Sequence, residues 1–189
     1  GGETELLVDT PRDVRFERAE VEGGTRVVVG HDGYVSTHGL THVRTLHIGF
    51  EGRELKGEDV LLAMTRSDKR KFDMCFDKTK LQGIPFSIRF HLHPDVDATL
   101  DMNGTAVSMV LKSSEIWVFR CEGPVELALE PAVYREKMRL SPRATKQIVL
   151  SGFAMEYSTR VSWSLAKTQD TPTAVRDFVG ERDELPMSE

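Results

Sequence analysis

The residues best suited to chemistry sit in two groups. All six histidines of the 189-residue chain fall between His31 and His93, and imidazole titrates near neutral pH, so it can shuttle a proton, bind a metal or hydrogen-bond sugar hydroxyls and carboxylates. The first group is His31-Asp32-Gly33-Tyr34, with His38 and His42 close behind. Gly33 permits a sharp bend, and an Asp beside a His can fix its tautomer. The second group is Arg89, His91 and His93, which alternate with Ile88, Phe90 and Leu92. A strand places positions two apart on one face, so this strand carries three nitrogenous side chains on one side and apolar ones on the other. His31, Tyr34, His42, Arg89, His91 and His93 are therefore the candidate site residues. Their competing explanation is an ordinary polar face of a sheet.

Other chemistries lack a motif. No serine or cysteine stands in a nucleophile elbow, and no glycine-rich loop is placed to cradle a phosphate. Cys75 and Cys121 lie too far apart for a redox pair or a zinc spacing and read as free thiols. His91-Leu92-His93, with Asp97 and Gly104 after it, is similar to the first motif of a cupin and opens the alternative of a cupin-like metal-dependent enzyme using His91 and His93. A cupin needs a further histidine from a later strand, and none follows His93, which weakens the metal reading, although His31, His42 or Asp32 could complete a site from earlier strands; no metal or other cofactor is assigned. Trp117, Trp163, Tyr34 and Tyr134 could stack on sugar rings, as in a noncatalytic carbohydrate-binding module, but sandwich aromatics more often fill cores.

The elements that must position these residues read as strands. Short β-branched and aromatic runs recur about every ten residues with turn residues between them, for example at 25–29, 40–50, 54–64, 86–92, 115–121, 125–129, 146–150 and 159–165. Asn103-Gly104 is the dipeptide that best tolerates the positive φ angles of a two-residue hairpin turn. The fold class expected is all-β, an antiparallel two-sheet β-sandwich. One domain over 1–166 is expected to be followed by a linker-like, partly disordered tail over 167–189, with one helical turn near 174–178. Residues 65–83 are dense in charge and poor in apolar positions, and read as a long loop inserted between strands.

With 25 Lys plus Arg against 30 Asp plus Glu, the net charge of −5 argues against general binding to nucleic acid. No stretch reaches the roughly 18 apolar residues of a membrane span. The first residue is not Met, which reads as a trimmed or excised chain.

The blocks HDGYVSTHGLTHVRTL at 31–46, GRELKGEDVL at 52–61 and PFSIRFHLHPDV at 85–96, followed by IWVFRCEG, VELALEPAVY and ATKQIVL, resemble in order the C-terminal domain of the heparinase II/III-like family of bacterial polysaccharide lyases. The resemblance implies a larger parent in which an N-terminal helical toroid precedes this sandwich and an acidic polysaccharide lies between them. Its chemistry would be β-elimination, with a base removing the C5 proton of a uronic acid and an acid protonating the leaving oxygen. In the family, the catalytic tyrosine belongs to the toroid, and the catalytic histidine and metal ligands precede the block at His31. This chain is therefore expected to shape the substrate cleft and to be inactive alone. A periplasmic or cell-envelope location is implied in the same way.

Overall fold

The computed structural model describes residues 10–136 and 141–168. Eleven strands form two antiparallel sheets. The larger runs β1 (Val14–Val21), β2 (Gly24–Tyr34), β3 (Leu40–Gly49), β4 (Glu54–Leu62), β11 (Ser158–Lys167), β8 (Ile116–Glu122), β7 (Ala106–Val110) and β6 (Asp97–Asp101), in that spatial order. The smaller has β10 (Arg143–Ala154) at its centre, flanked by β5 (Ile84–His91) and β9 (Val125–Tyr134). The expected all-β sandwich is the fold of the chain. Pro131 falls on β9, an edge strand, where its missing N–H costs no ladder bond on the open side.

The sheets are unequal, and this decides where the site can be. The main core joins Ile148 and Leu150 of β10 to Ala98, Val107, Met109, Phe119, Val161 and Trp163 of the larger sheet, with Phe86, Ile88 and Phe90 of β5 packed alongside. Three strands thus cover the β11-to-β6 half, while the inner face of β1 and β2 projects beyond them and leaves Val14 and Phe16 exposed.

The Asn103-Gly104 turn is where the sequence places it. Both residues have positive φ, 57° and 87°, as the hairpin turn demands. The ladder closes at Asp101 opposite Ala106, so the strands stop one residue short of the turn on each side.

Residues 65–83 depart from expectation. They are mostly a helix, α2 (Arg66–Lys78), and only 79–83 form a loop. The helix starts in a capping box: Thr65 Oγ1 accepts the Asp68 N–H at 3.1 Å, and Asp68 Oδ2 accepts the Thr65 N–H at 2.9 Å. Its apolar face is one turn wide. Phe72, Cys75 and Phe76 have helical spacing and pack with Leu40, Ala63, Ile84 and Ala154 in a second core, while the charged residues coat the solvent side. So narrow a stripe shows no sustained period. A single-turn helix, α1 (Val35–His38), joins β2 to β3 and packs against α2. Gly39 ends it at φ 68°, and a Cβ there would meet the Asp68 carbonyl oxygen at 2.2 Å, so only glycine fits.

Lys167, the first residue of the expected tail, closes β11, and the Thr168 N–H donates to the Ile116 carbonyl. The remainder of that expectation, including the turn at 174–178, lies outside the described residues.

If the capping box holds α2, Thr65→Ala should lower stability by about 1 kcal/mol in urea unfolding with an unchanged slope. A cost below about 0.3 kcal/mol would show that tertiary packing alone sets this helix.

Candidate functional site

Two neighbouring rows of the larger sheet make the floor of a cleft. One row runs His31, His42, Leu61, Thr159 across β2, β3, β4 and β11; the next runs Val29, Arg44, Asp59, Val161. Strand alternation puts both rows on the inner face. Because β5 is the edge of the smaller sheet, residues 84–89 form one wall of the cleft, and Tyr34 and His38 stand at another side. The enclosed volume is about 350 Å³, with Leu40, Leu61, Ile84, Phe86 and Ile88 supplying its apolar surface. That is the size and character of a small-ligand site.

Asp59 is the anchor of the floor. It is 2% exposed, and a buried carboxylate costs several kcal/mol unless it is paired and hydrogen-bonded. Four contacts meet that need. Arg44 Nε donates to Oδ1 at 2.8 Å and Nη2 to Oδ2 at 3.2 Å, Trp163 Nε1 donates to Oδ2 at 2.8 Å, and His42 Nε2 lies 2.6 Å from Oδ1. Burial is the largest influence on this carboxyl and favours the neutral acid, but the bonds from His42, Arg44 and Trp163 together outweigh it and leave the pKa below the ordinary value. The Arg44 guanidinium also lies over Phe90 and Trp163, 5.4 and 5.8 Å from the ring centroids. Gly57 makes room for that indole, since a Cβ would sit 2.1 Å from Trp163 Cζ2.

From Asp59 a one-way chain of hydrogen bonds leads outward. The Gly33 N–H donates to His31 Nδ1 at 3.2 Å, so neutral His31 must carry its proton on Nε2. That nitrogen is 3.2 Å from His42 Nδ1, which therefore accepts, and His42 holds its own proton on Nε2 toward Asp59. All four ring nitrogens are engaged. His31 is held below the usual histidine range, first by burial and then by His42, with Asp32 acting weakly in the opposite sense. The Tyr34 ring packs edge-on to His31 with centroids 5.3 Å apart and is half exposed at the cleft mouth. The floor is thus a rigid set of dipoles beside Arg44, fitted to hold a polar ligand. It does not present a free imidazole base.

The structure brings His31, Tyr34, His42 and Arg89 to this cleft and leaves His91 and His93 out of it. Arg89 stands at the rim with Nη1 on Glu130 Oε2 at 2.9 Å. His91 lies on the solvent side of the smaller sheet, opposite Gln147. β5 ends at His91, so the expected two-on-one-face geometry does not reach His93. The His93 ring packs edge-on to Tyr134, and its Nδ1 accepts the Asp95 N–H at 3.2 Å. Among the described residues, no group of three His, Cys, Asp or Glu side chains is placed to hold a metal ion. Of the aromatics, Trp163 is core, and Trp117 packs against it half buried.

Arg44, Asp59 and Thr159 are cleft residues that residue type and spacing did not single out. His42-x-Arg44 carries the same two-residue spacing as His91-x-His93 and was the available signal. Asp59 shows itself only through cross-strand register.

The sequence profile of the family described as "Heparinase II/III-like, C-terminal" matches residues 7–164. FtsZ-localized protein C of Caulobacter vibrioides (strain NA1000 / CB15N) is 29% identical over 163 residues, 86% of this chain and 27% of that protein. Among solved structures, a heparinase III gene product superposes with a TM-score of 0.61 at 8% identity, covering 82% of this chain and 22% of its own. Heparan sulfate lyase HepC from Pedobacter heparinus gives 0.59 at 8% identity, with 82% and 21% covered. The chain therefore spans about a quarter of the length of these proteins.

Two outcomes test the floor. Asp59→Asn should cost about 3 kcal/mol, because it leaves the Arg44 charge unpaired against the core. The native carboxyl's pKa is lowered, so its stabilisation is complete above about pH 4, the unfolded value, and fades as pH falls through the folded value. Acid unfolding of Asp59→Asn should accordingly be shallower than that of the parent chain. Separately, Gly57→Ala should cost about 2 kcal/mol by displacing the indole, and an intact near-ultraviolet tryptophan signal in that variant would contradict the close approach.

Proposed function

Because the chain belongs to the heparinase II/III-like C-terminal family, we propose that it is the β-sandwich domain of a polysaccharide lyase. In this reading its inner-face cleft forms one side of the site for an acidic, uronic-acid-containing polysaccharide. The observation that carries it is the cleft itself, which gathers His31, Tyr34, His42 and Arg44 beneath an apolar wall with Arg89 at the rim. The fold alone would not suffice, since one fold serves many functions.

A sugar carboxylate suits this lining. Tyr34 offers a hydroxyl and a ring edge, and Arg44 retains Nη1 after Nε and Nη2 are committed to Asp59. At the rim Arg89, whose Nη1 is on Glu130, adds a second guanidinium. Both histidines are saturated by their neighbours, so they position and polarise, and proton abstraction falls to residues of the parent outside this chain. An N-terminal helical domain of that parent would close the cleft over the polymer. The isolated chain is accordingly inactive, and the periplasm or cell envelope is the compartment in which such a polymer is met.

A second reading draws on the relative from Caulobacter. That protein is named for localisation with FtsZ and is 29% identical, whereas the lyase structures are 8% identical. A parent that uses a heparinase-like domain in localising with FtsZ, without lyase chemistry, would fit this observation.

The test is turnover of heparan sulfate, heparin and alginate, followed by the absorbance of unsaturated uronate products. The 189-residue chain should show none, and the full-length parent should turn over at least one of them. Tyr34→Phe or Arg89→Ala in the parent should each lower kcat/KM about fivefold, the worth of about 1 kcal/mol, with little change in melting temperature. A parent inactive on every uronate polymer would favour the second reading.

A further inference from the structure

We propose that the cleft binds a carboxylate together with one proton, taken up by the His31–His42 pair, with protonated His31 turning to donate to the ligand. This rests on the reading of the cleft as a site for acidic sugars and adds how it recognises the acid.

On the floor, the positive Arg44 and negative Asp59 cancel, and at the rim Arg89 is paired with Glu130. With neutral histidines the empty cleft has no excess positive charge to offer. An anion entering a partly buried, apolar-walled space needs a compensating charge, and a proton on an imidazole is the nearest source.

Geometry then says where that proton must go. The chain from Gly33 through His31 and His42 to Asp59 is complete with one proton on each ring. A second proton on His42 would place an N–H on Nδ1 facing the N–H of His31 Nε2. A second proton on His31 would place an N–H on Nδ1 facing the Gly33 N–H. Either way, one link of the chain must open. The Gly33 link is the weaker one, a neutral backbone contact at a β-bulge between His31 and Tyr34. Opening it frees a His31 N–H beside Tyr34 at the cleft mouth, while Asp59 keeps His42 in place.

The other charged and titratable groups around the pair are few. On β2, Asp32 is turned away, accepting the Arg12 and Asp13 N–H groups, and Tyr34 packs on His31. His38 on α1 has Nδ1 at 2.8 Å from Thr37 Oγ1. Arg44 on β3, Asp59 on β4 and Arg89 on β5 complete the set. An anion counters both influences that depress His31, its burial and its histidine neighbour. Its pKa therefore rises on binding. The linkage sign follows: affinity is lowest and flat above the bound-state pKa, climbs as pH falls through the window between bound and free values, and levels off below the depressed free value.

The experiment is calorimetric titration of the 189-residue chain with an unsulfated, glucuronate-containing heparosan oligosaccharide. It is run between about pH 5.5 and 8 in buffers of different ionisation heat, with a neutral chitin oligosaccharide as control. Affinity for the acidic sugar should rise as pH falls, approaching tenfold per unit at the steepest point, with uptake of close to one proton. The neutral sugar should show no such slope. His31→Gln and His42→Gln should each flatten the slope, whereas His91→Gln, outside the cleft, should keep it. In the unaltered protein, imidazole ¹⁵N shifts should report His31 protonated on Nε2 when free and on both nitrogens when bound, a readout that does not depend on the variants folding. Binding without pH dependence or proton uptake would overturn this inference and leave the acidic-sugar reading standing. No binding at any pH would overturn this inference, and the turnover assay on the full-length parent decides the acidic-sugar reading separately.

Discussion

A single buried carboxylate organises this end of the sandwich. Asp59 sits in β4 where the alternation of the strand turns it inward, and an unpaired charge there would be prohibitive. Its partners come from β3 and β11, the strands on either side of β4, so satisfying one side chain fixes the packing of three strands. Trp163 can reach it only because Gly57 has no side chain. His42, held at one end by Asp59, holds His31 at the other, and through Gly33 the arrangement extends to the turn that carries Tyr34. The fixed tautomers of the cleft thus derive from a carboxylate that never meets solvent.

The cleft exists because the sheets do not match. Three strands cannot cover eight, and the uncovered inner face begins where β5, the edge of the smaller sheet, runs past β3 and β4. Helix α2 seals the adjoining end through Phe72, Cys75 and Phe76, and Lys71 Nζ donates to the Val35 carbonyl at 3.0 Å, tying α2 to α1. A sheet face this open on β1 and β2 leaves Val14 and Phe16 in solvent.

The division of labour proposed for the cleft follows from hydrogen bonding. An imidazole with both nitrogens engaged is a poor base toward a substrate but a well-placed dipole, and preorganised dipoles act by holding charge where it is needed. On the proposed reading the cleft serves recognition and positioning. The outer residues His91 and His93 serve locally instead, His93 packing against Tyr134 beside the Asp95 cluster. There Lys112 and Arg143 hold the Asp95 carboxyl down to about 2.

Much of the fold was legible from the chain itself, because strand alternation and turn chemistry are local: the all-β class, the Asn103-Gly104 turn and the apolar face of β5 all follow from period-two patterning. The capping box at Thr65 and Asp68 was equally local and marks the start of a helix that the charge density of 65–83 conceals. Residue type also pointed to His31, Tyr34, His42 and Arg89. What the sequence did not determine is which strands become neighbours and which sheet each joins. His42-x-Arg44 and His91-x-His93 have the same spacing, yet one pair faces the cleft and the other lies outside it, because β3 turns His42 and Arg44 to the inner face of the larger sheet, whereas His91 points to the solvent side of the smaller sheet and β5 ends before His93. Asp59 is invisible as a site residue until β4 is paired with β3 in register, placing it opposite Arg44. Register is a long-range property, set by which faces can be buried together, and only the folded chain decides it.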